Sequence, residues 1–263
     1  MNYRWNVNDL KNLYAPTCDY ESIKTPYGWC RHRDLPKYGR YKMAIFGNSW
    51  TANHAKLFVQ ECGYKAKSLL QGAAWGCEPL LVSADTDTCR ANFTTFVERI
   101  KKEKPDYAFH ITREVSIGRG FPPNVTTFDQ DPTYQTMKGQ TLKLIENIKY
   151  KLYIVHAIPS VQPGSISKIA EWVKNGTDPM VVQRALLRPH GFEMARKRYE
   201  QLVKDCNGKC ILIDYTSIFY NNVTKIYEYY DKKGFSYWTA DQHFSPHGIE
   251  HIRHVWTGVC EQL

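Results

Sequence analysis

A serine lies at a point in the sequence that favours nucleophilic chemistry. Ser49 belongs to the segment Gly47-Asn48-Ser49-Trp50, which follows a short apolar run and precedes apolar residues at helical spacing. A tight turn from a strand into a helix exposes a serine hydroxyl, and the N–H groups at the helix N-terminus stabilise developing negative charge. Gly47 permits such a turn. Serine is also a common helix N-cap, so the motif alone fits a structural role as well.

A histidine near the other end of the chain is the matching candidate base. His243 lies in Asp241-Gln-His243-Phe-Ser-Pro, a loop pattern just before a helical one. An imidazole in such a loop can take the proton of a serine hydroxyl, and a neighbouring carboxylate can fix its tautomer. We therefore predict that His243 activates Ser49 and that Asp241 orients His243. The chemistry that this group predicts is attack on an acyl carbonyl.

The same region also carries a histidine pattern that is typical of zinc sites. His243, His247 and His251 recur at four-residue spacing, with Glu250 among them. On one continuous helix these imidazoles would share a face. Pro246 disfavours a helix that runs through His243. We therefore expect neither a metal nor a cofactor.

Apolar runs that alternate with helical patterns predict the scaffold that positions these residues. Such alternation is typical of a three-layer α/β/α sandwich with a mostly parallel sheet of about five strands. In these sheets, sites form at the carboxyl ends of the strands, where Ser49 falls. The pattern predicts strands at 42–47, 66–70, 107–112, 152–157 and 210–214, and helices at 52–62, 93–102, 141–149, 180–203 (bent near Pro189 and Gly191) and 249–259.

The first forty residues differ from the rest of the chain in composition. Residues 1–40 are rich in Tyr, Pro and Cys and lack strong periodicity. We predict an irregular lead-in, stapled by a Cys18–Cys30 disulfide, followed by one domain over residues 41–263.

Cysteines and glycosylation sequons indicate an oxidising compartment. The chain has eight cysteines with no C-x-x-C pair, and sequons at Asn92, Asn124, Asn175 and Asn222. Together they favour a lumenal or extracellular location with glycosylation at these asparagines. The N-terminus has no apolar signal-peptide core, and no run of eighteen apolar residues occurs. We therefore expect a piece of a longer protein whose targeting segment precedes residue 1.

The net charge of +9 over 263 residues does not predict a nucleic-acid partner. The basic residues are scattered singly or in pairs, and no nucleic-acid-binding motif is present. A solvated basic surface is the simpler interpretation, and we expect no nucleic acid among the partners.

The ordered set of motifs resembles the SGNH (GDSL-like) hydrolase superfamily. The matching segments are residues 47–50, 76–81, 105–113 and 241–248, and the resemblance covers about residues 15–260. It is closest to the SGNH domain attached to acyltransferase-3-type membrane proteins, particularly the nematode-like members. This resemblance implies an acyl donor, a carbohydrate or lipid acceptor, and a membrane acyltransferase domain in the full-length chain.

The resemblance also implies individual roles. Ser49 would be the nucleophile, and its N–H would donate to the oxyanion. His243 would be the base, and Gly76 would supply the second oxyanion donor, with Gly72 as the alternative.

The chain departs from the family pattern at three places. Asn48 stands where the family usually has an aspartate before the serine, and that aspartate is not the triad acid. The family's oxyanion asparagine is absent, and Arg113 either supplies a charged donor instead or is a salt-bridge or surface residue. Ala240 occupies the position of the triad acid, so either Asp241 acts from a shifted turn or the site is a Ser–His dyad.

Two further alternatives stay open at this level. The protein could be a simple esterase of the same mechanism, or a catalytically degenerate SGNH-fold module that only binds. A group of aromatic residues before the histidine could stack on sugars or pack in the core: Tyr227, Tyr229, Tyr230, Tyr237 and Trp238.

Overall fold

A seven-stranded sheet forms the centre of the protein. The computed structural model describes residues 1–22, 25–83, 86–162, 164–188 and 191–263. In these residues the strands are β1 (Cys18–Tyr20), β2 (Gly28–His32), β3 (Tyr41–Gly47), β4 (Ala66–Ala73), β5 (Tyr107–His110), β6 (Lys151–Val155), β7 (Cys210–Ile213), β8 (Tyr220–Asn221) and β9 (Ile226–Tyr227). The sheet order is β1-β2-β4-β3-β5-β6-β7, and β8 and β9 pair separately.

Five of the seven strands run parallel. The strands β4, β3, β5, β6 and β7 form the parallel part, and β2 and β1 extend it antiparallel at the β4 edge. The prediction of a mostly parallel sheet is confirmed, and its five predicted strands are the five parallel ones.

Helices cover both faces of this sheet. The α-helices of the described residues are α1 (Asn2–Val7), α2 (Asp9–Asn12), α3 (Ser49–Cys62), α4 (Asp87–Glu103), α5 (Pro132–Ile145), α6 (Ile169–Lys174), α7 (Pro179–Leu186), α8 (Phe192–Asp205), α9 (Thr216–Phe219) and α10 (Pro246–Glu261). Short 3₁₀ turns occur at Gly63–Lys65, Phe128–Gln130 and Ile166–Lys168.

The alternating side chains of β3 show how the layers form. Met43 and Ile45 pack into a core with residues of α3 and α10. Ala44 and Phe46 pack on the opposite side, with residues of α4, α5 and α8. All four side chains are fully buried, as expected for a parallel strand covered on both faces.

Residues 1–40 differ from the predicted irregular lead-in. They form two short helices and two strands, and β2 pairs with β4 from Gly28↔Ala73 to Arg31↔Leu70. The strands have three and five residues, too short for a clear alternating pattern in the sequence. The predicted Cys18–Cys30 disulfide is confirmed.

Two helices differ from their predicted spans. Helix α5 runs from Pro132 to Ile145, whereas the predicted span was 141–149. It begins early because Asp131 caps it by accepting a hydrogen bond from Thr133 N. The predicted long helix at 180–203 is two helices: α7 ends at Leu186, and α8 begins at Phe192 with Gly191 as its N-cap. Pro189 lies outside the described residues.

Three further disulfides hold distant or neighbouring segments. Cys62–Cys260 joins the ends of α3 and α10, Cys77–Cys89 ties the loop after β4 to α4, and Cys206–Cys210 links α8 to β7. In the part of the chain that is described, no helix has the length and apolar character needed to cross a membrane.

Candidate active site

The turn between β3 and α3 frees the hydroxyl of Ser49 from a capping role. Asn48 is the N-cap, and its Oδ1 accepts hydrogen bonds from Trp50 N at 3.1 Å and from Arg113 N at 3.2 Å. Its Nδ2 donates to Arg113 O at 2.7 Å. Asn48 therefore caps the helix, the structural role that the sequence also allowed for Ser49. It also fixes the loop after β5 beside the serine.

Ser49, His243 and a third residue, Asp9, form a hydrogen-bonded chain. His243 Nε2 lies 2.8 Å from Ser49 Oγ, across 194 positions of sequence. His243 Nδ1 lies 2.6 Å from Asp9 Oδ2, across 234 positions. The three residues are only 8%, 6% and 4% exposed. A carboxylate on Nδ1 holds the imidazole in the tautomer whose Nε2 accepts the serine proton.

The imidazole of His243 is held in place by the helix that carries Ser49. Trp50 Nε1 donates to Gln242 O at 2.9 Å. Asn53 Nδ2 donates to Phe244 O at 3.0 Å, and its Oδ1 accepts from Phe244 N at 2.9 Å. The residues on either side of His243 are thus bonded to the first two turns of α3. This arrangement fixes the serine–histidine distance without depending on a flexible loop.

The carboxylate comes from the N-terminal helices, which dock on the loop before His243. Asn6 Oδ1 accepts from Ala240 N at 2.9 Å, and Asn2 bonds to Gly234 O and Ser236 N. Trp5 stacks on the ring of His247 at a centroid distance of 6.0 Å. These contacts bring Asp9 under the imidazole.

Asp241 does not take the position that the sequence predicts for it. Its side chain is exposed and lines the cleft, while the hydrogen bond to His243 Nδ1 is made by Asp9. The reason is geometric: Gln242, between the two residues, has a left-handed backbone (φ 64°) and a buried side chain. The turn that presents His243 to the core therefore leaves Asp241 at the surface.

Asp9 escaped the sequence analysis because no local pattern marks it. It stands in Asn8-Asp9-Leu10, far from any motif with catalytic spacing. It is the only acidic residue among the first eighteen, and this was the one signal available.

A cleft of about 740 Å³ opens above the serine. It is lined by the catalytic candidates Asp9, Ser49 and His243 and by Leu10, Tyr27, Trp75, Gly76, Arg113, Glu114, Val115, Gly118, Ser160, Arg188, Gly191, Ala240, Asp241 and Gln242. The two residues predicted to supply backbone donors, Ser49 and Gly76, therefore line the same cleft.

The two glycines considered for the oxyanion hole have different surroundings. Gly76 lines the cleft with a left-handed backbone (φ 66°), and a Cβ there would meet nothing within 4 Å. A Cβ on Gly72 would lie 2.4 Å from the ring of Trp29. Gly72 is therefore a packing position in β4, and Gly76 is the one that lines the cleft together with Ser49.

A buried carboxylate lies behind the cleft-lining segment that includes Val115. Glu78 is 1% exposed, and it accepts hydrogen bonds from the N–H groups of Val115, Ser116 and Ile117 at 2.8, 2.8 and 3.4 Å. Burial raises the pKa of Glu78, and the three N–H donors oppose that rise. The carboxylate thereby orders the segment that carries Arg113.

Arg113 is half-buried at the cleft. Burial lowers the pKa of its guanidinium, while the nearby Glu114 acts in the opposite direction and Arg188 lowers it further. Nη1 donates to Glu114 O at 3.3 Å. In the described ranges Arg113 has no carboxylate within salt-bridge distance, so the salt-bridge interpretation does not describe it.

The histidines of the zinc pattern do not converge. Helix α10 begins at Pro246, so His243 lies outside it. His247 lies 3.2 Å from Asp231 and stacks on Trp5, and His251 stacks on Tyr237 at 4.3 Å. Each imidazole thus has its own partners.

The aromatic group before His243 packs mainly in the core. Four of its members are at most 8% exposed: Tyr229, Tyr230, Tyr237 and Trp238. Tyr227 is half-buried and lies outside the cleft. The aromatic side chains that do line the cleft are Tyr27 and Trp75, which the sugar-stacking hypothesis did not name.

The sequon asparagines lie at or near the surface. Asn124, Asn175 and Asn222 are exposed, and Asn92 is half-buried on α4. Glycosylation at these positions stays a prediction.

This mostly parallel α/β sheet, with a serine at the start of the helix after its central strand, is the architecture of the SGNH hydrolase class. The family model described as SGNH domain (fused to AT3 domains) matches residues 17–258, and the chain belongs to that family. The matched region begins after Asp9. The carboxylate that contacts His243 therefore comes from outside the region that defines the family.

Solved structures share this fold. The periplasmic domain of a lipopolysaccharide acetyltransferase from Salmonella ser. Paratyphi A is 14% identical, with a TM-score of 0.65 over 98% of this chain and 95% of that one. A protein described as a GDSL-like lipase from Parabacteroides merdae is 11% identical, with a TM-score of 0.51 over 86% and 98%. At these identities the likeness concerns the fold alone. None of the curated proteins compared with the chain matches it.

Proposed function

We propose that the protein transfers an acyl group through an acyl-Ser49 intermediate. The observation that carries this proposal is the continuous chain from Ser49 Oγ through His243 to Asp9, with contacts of 2.8 and 2.6 Å. Such a chain is the arrangement that activates a serine hydroxyl at neutral pH.

The reaction follows from this geometry. Ser49 Oγ attacks the acyl carbonyl while His243 Nε2 takes its proton. The tetrahedral oxyanion accepts hydrogen bonds from the N–H groups of Ser49 and Gly76. His243 then protonates the leaving group, and the carbonyl re-forms as an ester on Ser49. An acceptor hydroxyl, deprotonated by His243, attacks that ester, and the bond to Ser49 Oγ breaks as His243 returns the proton to that oxygen. Asp9 stabilises the imidazolium in both steps.

Arg113 is assigned as a further donor near the oxyanion. Its guanidinium lines the cleft, and Asn48 holds its backbone beside the nucleophile. A charged donor in a half-buried site interacts strongly with a developing negative charge.

The acceptor that we propose is a carbohydrate or glycolipid hydroxyl. The family's description as a domain fused to AT3 domains supports an acyl donor delivered by a membrane acyltransferase domain. Four disulfides support a lumenal or extracellular location. With water in place of the acceptor, the same steps make an esterase.

Labelling with a fluorophosphonate tests the nucleophile. We expect the folded protein to be labelled once, with loss of labelling in Ser49→Ala and no change in Ser167→Ala, a matched substitution at an exposed serine outside the cleft. Absence of labelling in the folded protein would instead favour the degenerate binding module. Acetylated sugar formed from p-nitrophenyl acetate would separate transfer from hydrolysis.

A further inference from the structure

The cleft beside Ser49 contains two guanidinium groups that have no carboxylate partner among the described residues. Arg113 and Arg188 both line it. Across the described ranges, neither has an ion pair within 4.0 Å. The two cleft arginines contact neutral oxygens: Arg113 with Glu114 O, and Arg188 with Gln242 Oε1 at 3.2 Å. By contrast, other arginines lie against Asp or Glu at 2.7 Å or closer, including Arg31, Arg33, Arg90, Arg196 and Arg198.

The acidic groups of the cleft are distributed unevenly. Asp9 and Asp241 lie near Tyr27. The pKa of Tyr27 is raised to about 12, mainly by burial and secondly by the charges of these two carboxylates. Glu114 interacts electrostatically with both arginines, and burial raises its pKa to about 7. Near neutral pH a share of Glu114 is therefore uncharged. The carboxyl group that interacts with both arginines is thus a weak neutraliser of their charge.

An exposed tryptophan adds a flat apolar surface to the same cleft. Trp75 is 74% exposed and precedes Gly76, the predicted oxyanion donor. A tryptophan so exposed has little role in folding, because it buries little area. Its ring is suited to pack against the apolar face of a sugar ring within reach of the nucleophile.

We propose that the acceptor is an anionic sugar, whose carboxylate or phosphate binds Arg113 and Arg188 while its ring packs on Trp75. This inference rests on the proposed function, and it specifies the substrate class of the same site. Two unpaired guanidiniums near one another repel, and an anion between them removes that repulsion and gains charge-assisted hydrogen bonds. Binding of the acceptor can be measured without turnover, whereas the oxyanion forms only during the reaction. The two roles of Arg113 can therefore be measured separately.

The test measures binding in the Ser49→Ala background, so that it does not depend on turnover. Methyl β-D-glucuronide and glucose 6-phosphate are titrated by NMR against methyl β-D-glucoside, their neutral counterpart. We expect at least one anionic sugar to bind about tenfold more tightly than the glucoside, with the difference lost in Arg188→Gln and in Arg113→Gln. Trp75→Ala is expected to weaken all three sugars alike.

Arg184→Gln is the matched control, because it removes an equal charge from an exposed position on α7 outside the cleft. It is expected to keep the preference. Equal binding of charged and neutral sugars, no binding of any of them, or a preference that survives either cleft substitution in a folded variant would overturn the proposal. Failure of fluorophosphonate labelling would refute the proposed catalysis and leave this binding result standing, so the two failures are distinguishable.

Discussion

Replacing Asp9 by asparagine separates the carboxylate that the structure places on His243 from the one that the sequence suggests. The substitution keeps the shape of the side chain and removes its charge. Asp9 is 4% exposed and lies 2.6 Å from His243 Nδ1, so the change acts directly on the imidazole. An amide NH₂ turned toward Nδ1 would favour the tautomer that carries the proton on Nε2, which cannot accept the proton of Ser49.

The size of the effect follows from the contact that is lost. A hydrogen bond to a charged group contributes about 1.5–3 kcal/mol, which corresponds to about 10- to 150-fold in rate. Where the wrong tautomer is also imposed, a loss of about 10⁴ is the precedent for a serine triad. We therefore expect kcat/KM for p-nitrophenyl acetate to fall about 10²- to 10⁴-fold in Asp9→Asn.

The matched control is the same substitution at Asp241, which is exposed and belongs to the same cleft. Asp241→Asn is expected to change kcat/KM less than about threefold, because a solvated carboxylate interacts weakly with its surroundings. Circular dichroism and urea unfolding verify that both variants are folded. Activity of Asp9→Asn equal to that of the parent protein, or an equal loss in Asp241→Asn, would refute the assignment of Asp9.

Two further predictions concern stability. Burial raises the pKa of Glu114 from 4.5 to about 7, so this residue favours the folded state below pH 4.5 and loses that contribution as the pH rises to 7. The free energy of unfolding of Glu114→Gln, measured in urea relative to the parent protein, is therefore expected to rise by about 1–3 kcal/mol from pH 5 to pH 8. A difference between the two proteins that stays constant with pH would contradict this. Removing the Cys62–Cys260 bridge, with 198 residues of separation, should cost about 5 kcal/mol of unfolding free energy, against about 2 kcal/mol for Cys206–Cys210, with a separation of 4. Double Cys→Ser variants measure both, and equal losses would contradict the loop-closure explanation.

The scaffold was largely readable from sequence because its signals are local. An apolar run such as Met43–Phe46, followed by a glycine and a helical pattern, predicts a buried strand and the turn after it without knowledge of the rest of the chain. The errors arose where short elements gave too little pattern, as in β1 and β2, or where a cap outweighed the periodicity, as with Asp131 at the start of α5.

The site was only partly readable for the same reason. Ser49 and His243 each stand in a local motif, and the structure brings them into contact. Asn48 shows how one local feature had two interpretations, because only the coordinates reveal that it caps the helix in place of Ser49. Trp75 and Arg188 carried no motif at all, and their shared position in the cleft results from how the loops pack.

By itself, then, the sequence determined the parallel sheet, the turn that carries Ser49 and the candidacy of His243 as its base, since each depends on residues that are neighbours in the chain. The tertiary structure alone decided which carboxylate reaches the imidazole. Asp9 and His243 are 234 positions apart, and their hydrogen bond exists because the N-terminal helices dock on the loop before His243. No spacing or composition encodes such docking, because it depends on the shapes of two surfaces that form only when the chain folds.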